Sequence, residues 1–117
     1  MNYKIMTNKG FDINIEGSFT LKEFITKLND PQLMTMALGD MVLRKGNFRT
    51  VTLDGELTGA YELHTTDGNV YLTDIEDYNS QKLSEYVNGM RDEFVLIGNV
   101  IIQRHNFDMV KAVTVKE

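Results

Sequence analysis

Apolar and polar residues alternate along "YKIMTNKGFDINIEG", Tyr3 to Gly17, and again along "YELHTTDGNVYL", Tyr61 to Leu72. Alternation with a period of two places one set of side chains on each face of a strand. A turn interrupts each stretch, Asn8-Lys9-Gly10 in one and Thr66-Asp67-Gly68 in the other. A glycine in that place supplies the positive φ of a three-residue hairpin loop, so each stretch predicts two antiparallel strands. The period then changes. Leu21, Phe24, Ile25 and Leu28 recur at the spacing of a helix face, Thr20 and Glu23 have capping-box spacing, and Phe19 and Phe24 stand as a hydrophobic staple. Pro31 stops this helix after Asp30. Further on, Asn79 reads as a cap, Tyr78 and Leu83 take the staple positions, and Gly89 follows the last turn. After each helix come two short apolar runs flanking Gly39-Asp40 or Gly98-Asn99, which predict a tight hairpin. The turn "KGN" or "RHN" then leads into a last strand, "FRTVTL" or "FDMVKAVTV".

The two series are one pattern written twice. At an offset of 59, "GDMVLRKGNFRTV" from Gly39 returns as "GNVIIQRHNFDMV" from Gly98, and the same offset pairs Phe19 with Tyr78, Phe24 with Leu83, Leu28 with Val87 and Asn29 with Asn88. Upstream, an offset of 58 pairs Tyr3 with Tyr61, Thr7 with Thr65 and Gly10 with Gly68, so one single-residue insertion reconciles the halves. Matches that keep register over so long a stretch point to a tandem duplication. The expectation is an α+β fold of two ββαβββ repeats, mainly antiparallel sheet with one helix per repeat, related by a pseudo-two-fold axis. The chain, residues 1–117, is expected to form a single compact domain, with residues 1–54 as the first repeat, 60–117 as the second and 55–59 as the connecting turn inside "LDGELTGA". Phe48 and Phe107 hold matched positions and are expected in the core.

Composition narrows the function classes. Apolar residues at 42% and charged residues at 25% are those of ordinary globular proteins. No apolar run approaches the length of a membrane helix, and "MNYKIMTNKGFD" lacks a signal-peptide core, so a cytoplasmic location and no membrane partner are expected. The absence of cysteine excludes disulfides and thiolate metal sites. The net charge of −5 makes nucleic acid a less favoured partner than protein. Its distribution is uneven. Residues 1–58 carry seven basic and seven acidic side chains, residues 59–117 five and ten.

No catalytic, cofactor-binding or metal-binding signature stands out. His64 and His105 lie outside any HxxxH or HExxH arrangement, and they stand where the other half has Met6 and Gly46. Ser18, Ser80 and Ser84 lie near the helices without a nucleophile motif, which fits capping. Asp74, Glu76 and Asp77 form the densest carboxylate group but lack the pattern of a calcium loop. With Asp92 and Glu93 as expected neighbours, they are the candidate docking surface for a basic partner, because the matched positions Ile15, Gly17 and Ser18 offer no such cluster. Arg44, Lys45 and Arg49 are the candidate nucleic-acid contacts under the alternative reading of a small nucleic-acid- or nucleotide-binding β-rich module.

The segments "YKIMTNKGFDINIEG", "FTLKEFITKLND" and "ALGDMVLRKGNFRTV" resemble small phage and prophage proteins of Gram-positive bacteria, which pair a TNxG-type hairpin with a GDxVxxKxN-type strand segment. That resemblance implies a viral setting, in which small acidic non-enzymatic proteins bind and block host machinery, CRISPR nucleases included. The expected function is therefore that of a phage-derived inhibitor or modulator of a host protein in the host cytoplasm. It would act as a monomer with internal pseudo-symmetry or as a homodimer. An enzyme is the least expected class.

Overall fold

A computed structural model describes residues 2–10, 12–38, 40–55, 57–89 and 93–113. The chain is α+β, with two helices and mostly antiparallel sheet. Its first half runs β1 (Asn2–Thr7), β2 (Asp12–Glu16), α1 (Leu21–Leu28), β3 (Thr35–Leu38), β4 (Met41–Arg44) and β5 (Phe48–Leu53). The second runs β6 (Tyr61–Thr65), β7 (Val70–Thr73), α2 (Ser80–Gly89), β8 (Phe94–Ile97), β9 (Val100–Gln103) and β10 (Phe107–Ala112). Single 3-10 turns at Lys45–Asn47 and Arg104–Asn106 lead into β5 and β10.

Local chemistry repeats with the sequence. Gly10 and Gly68 both have φ of 88° and donate their N–H to the carbonyls of Thr7 and Thr65, closing the two hairpin loops. Thr20 accepts the Glu23 N–H at 3.1 Å while the Glu23 carboxylate accepts from the Thr20 N–H at 3.2 Å, completing the capping box. Asn79 caps the second helix by accepting from Lys82 N–H at 3.0 Å. Phe19 meets Phe24 edge to face at 5.1 Å. Tyr3 stacks on Phe19 at 5.0 Å, and the matched pair Tyr61 and Tyr78 lies at 4.5 Å. Even an irregularity recurs: β5 skips Arg49 against β1, and β10 skips Asp108 against β6.

The sheets, however, are not shared equally. One sheet of five strands has the order β2-β1-β5-β9-β8 and so takes strands from both halves; β10-β6-β7 forms a second sheet, and β3-β4 stands as a hairpin. This departs from the expected pseudo-two-fold. An axis that carried each half onto the other would convert the β5–β9 pairing into a β10–β4 pairing. β10 pairs only with β6, and β4 only with β3, among the described residues. The junction therefore runs one way.

Two apolar clusters result. Tyr3, Ile5, Phe24, Leu28, Phe48 and Val51 gather in the first with Phe94 and Ile101. Leu63, Tyr71, Val95, Ile97, Val100 and Ile102 form the second. The β8–β9 hairpin contributes one face to each cluster, since alternate residues along a strand point opposite ways. Phe48 is fully buried as expected, but Phe107 is only partly covered at the edge of the second cluster.

Candidate interaction surface

The junction between the halves shows what this unit is able to hold. Val51 faces Ile101 and Thr50 faces Ile102 where β5 meets β9. Above that pairing, α1 packs on β8. Asn29, at the C-terminal cap of α1, grips β8 with both ends of its amide: Nδ2 donates to the Phe94 carbonyl and Oδ1 accepts the Phe94 N–H, each at 3.1 Å. Gln103 reaches back from β9, where its Nε2 donates to the Phe48 carbonyl at 2.7 Å and to the Gly46 carbonyl at 3.2 Å. At the other end, Arg49 Nε lies 2.8 Å from Asp67 Oδ2. Tyr71 closes the rear by donating its hydroxyl to Thr50 Oγ1 at 3.4 Å.

Its counterpart in the second half stands open. No residue of α2 is fully buried, whereas Phe24 and Leu28 of α1 are. Between α2 and β10 runs a groove of about 270 Å³ lined by Leu83, Val87, Asn88, Phe107 and Val110, the residues matched to Phe24, Leu28, Asn29, Phe48 and Val51. In the first half, β4 has a bare face. Val42 is 66% exposed where the matched Ile101 is 0% exposed, and Met109 on β10 is 40% exposed where the matched Thr50 is 3% exposed. Apolar side chains left in water on two strand edges mark surfaces suited to a protein partner.

The sequence-derived candidates fall differently. Asp74, Glu76 and Asp77 are exposed together on the loop between β7 and α2, where Asp77 adopts φ of 51° and Asp74 Oδ1 accepts the Ala60 N–H at 2.9 Å. That loop adjoins the β8–β9 turn, because Thr73 Oγ1 accepts the Asn99 N–H at 2.9 Å. Glu93 is exposed at the far end of β8, about 15 Å away at the rise of a strand, so it is not part of the same cluster. Asp92 lies outside the described residues. The basic trio is also divided. Arg49 is held by Asp67, Lys45 Nζ donates to the Asp30 carbonyl, and Arg44 is exposed on the bare face of β4.

An open cleft of about 730 Å³ lies around the two 3-10 turns and is lined by Asn8, Gln103, Arg104 and His105 among others. Two of its polar side chains are bonded to the fold: Asn8 Nδ2 donates to the Gly46 carbonyl, and Arg104 Nε donates to the Val87 carbonyl at 2.7 Å, tying down the end of α2. His64 Nε2 lies 3.0 Å from Glu62 Oε1 on β6. No three or more His, Asp or Glu side chains gather as a metal site among the described residues.

Two groups among the described residues have shifted acidities. Burial would raise the Asp67 carboxyl, but hydrogen bonds from the Thr65 hydroxyl and the Asn69 N–H, with the Arg49 guanidinium, outweigh it and leave the group below the ordinary aspartate value. Burial raises the Tyr71 phenol, against the bond to Thr50 that lowers it. Both groups belong to the junction. Comparison with family models, with curated proteins and with solved structures finds no match. No helix among the described residues is long and apolar enough to cross a membrane.

The sequence reading missed Val42, Met109 and Asn88 as surface features. A signal for them was present: in "FVLIGNVIIQ" both strand faces carry large apolar residues, whereas "TMALGDMVLR" places Thr35, Ala37, Val42 and Arg44 on one of them. A hairpin apolar on both faces is covered on both.

Proposed function

We propose that the protein is a non-enzymatic protein-binding module, a fused pair of ββαβββ units that acts by occupying a surface of another protein. The observation that carries this reading is the open groove between α2 and β10. Its counterpart in the first half is filled by a β-hairpin, so the same scaffold has the shape and hydrogen-bonding groups to accept one. The matched capping, hairpin loops and strand irregularity support the paired-unit account.

The resemblance to phage and prophage proteins makes a host protein in the host cytoplasm the natural target, and inhibition of a defence system such as a CRISPR nuclease the natural effect. Asp74, Glu76 and Asp77 would speed encounter with a basic partner, since complementary charge raises association rate more than it deepens affinity. The nucleic-acid alternative through Arg44, Lys45 and Arg49 is the weaker reading, because Arg49 and Lys45 are already bonded within the fold.

Cross-linking in a Gram-positive host tests the proposal. Lys82 on α2 and Lys111 on β10 should cross-link to a second protein, and Leu83→Glu should abolish those links. Links unaffected by Leu83→Glu would remove the groove from the reading. Tight binding to oligonucleotides that weakens steeply with salt would replace the reading with the alternative.

A further inference from the structure

We infer that the protein associates with itself head to tail, the β3–β4 hairpin of one copy docking in the α2–β10 groove of the next. The inference rests on that groove being the docking site proposed above, and it names the occupant. The template is inside the chain: the groove of the first half holds the β8–β9 hairpin, and β3–β4 is the matched hairpin left without a groove. Each half of the contact is thus present once and unused within the chain.

Transferring the junction by the sequence offsets gives a specific register. Val51–Ile101 and Thr50–Ile102 become Val110 and Met109 of one copy against Val42 and Leu43 of the next. The two most exposed of these, Val42 and Met109, are apolar, as a buried contact requires and a solvated edge does not. Asn88 stands where Asn29 stands, so its amide would grip the Thr35 backbone of the second copy as Asn29 grips Phe94. Arg44 stands where Gln103 stands, with donors for the Phe107 and His105 carbonyls. The charge pair transfers with its signs reversed: Arg49 against Asp67 becomes Asp108 against Lys9. Opposite charge is preserved although both residues differ, which makes the ends complementary.

Such a contact joins two different surfaces, so one copy can seat a second while presenting its own hairpin to a third. It builds rings or open chains. It is also weaker than its template, because Thr35 and Ala37 replace Phe94 and Leu96 on the docking face. Association should therefore be reversible and dependent on concentration.

Sedimentation velocity of the purified protein should show the average size rising beyond a dimer as concentration increases. Val42→Lys and Met109→Lys each lie on an exposed side chain and should each sediment as a folded monomer. Their equimolar mixture keeps one good hairpin and one good groove, so it should stop at a heterodimer. The chain has no cysteine, so register is read directly: Val42→Cys mixed with Val110→Cys should oxidise to the mixed disulfide, with several-fold less of either homodimer. A wild-type protein that stays monomeric up to millimolar concentration overturns the inference, while host-protein cross-links lost in Leu83→Glu would leave the groove itself standing. A mixture that does not assemble, or Val42→Cys pairing chiefly with itself, would overturn the head-to-tail geometry.

Discussion

Phe48 and Phe107 each open a strand that follows a 3-10 turn, and they differ in what lies over them. Phe48 is 0% exposed beneath α1 and touches Phe24 edge to face at 5.8 Å, while Phe107 borders the open groove. Phe48→Ala should cost about 3–5 kcal/mol, and Phe107→Ala roughly 1–2 kcal/mol because part of that ring is already in water. Urea melts of the two variants measure the difference, and equal losses would mean that Phe107 is covered. Asp67 offers a second test. Its folded pKa lies below the ordinary aspartate value, so its contribution is present above about pH 4 and is lost as pH falls through the folded value. Asp67→Asn should be less stable than wild type at neutral pH and should converge with it in acid. Thermal midpoints from pH 7 to pH 2 show this directly, and parallel curves would detach Asp67 from the junction.

At the scale of elements, identical side chains acquire unequal weight. Asn29 and Asn88 both end a helix, but only Asn29 holds a strand of the other half, through two hydrogen bonds to Phe94. Asn29→Ala leaves those partly buried backbone groups without partners and should cost about 1–3 kcal/mol. Asn88→Ala removes only a 3.4 Å bond to Ser84 and should cost about 0.5 kcal/mol or less in the monomer. Denaturant titration at dilute concentration separates the two, and a large loss in Asn88→Ala would reveal a partner for α2 within the chain. The elements themselves were legible because their signals are local: Thr20 acts on Glu23 and Phe19 on Phe24, and Gly10 and Gly68 each close a loop within three residues. The pairing of β5 with β9 was not. Matched residues describe the inside of one unit, and they carry no statement of which outer surface meets the other unit. The acidic cluster suffered likewise: Glu93 and Asp74 share the acidic half of the sequence and are set apart by the length of β8.

For the molecule as a whole, the decisive fact is the central place of the β8–β9 hairpin. Phe94 and Ile101 enter one cluster while Val95, Ile97, Val100 and Ile102 enter the other, so neither core opens without exposing this hairpin. The β3–β4 hairpin and α2 each have one uncovered face. Local opening follows such differences, because segments with fewer buried contacts unfold at lower free energy. Amide exchange in dilute solution should therefore be slowest in β8, β9 and β5, and faster in β3, β4 and α2. Raising the protein concentration should slow exchange in β3, β4, β10 and α2 together if copies dock end to end, and leave β8 and β9 unchanged. Met109→Lys should erase that concentration effect while keeping the dilute pattern. Protection in β3 and β4 equal to that of β8 and β9 in a dilute monomer would mean that both hairpins are covered within one chain. The one-way junction, and the self-association drawn from it, would then both fall.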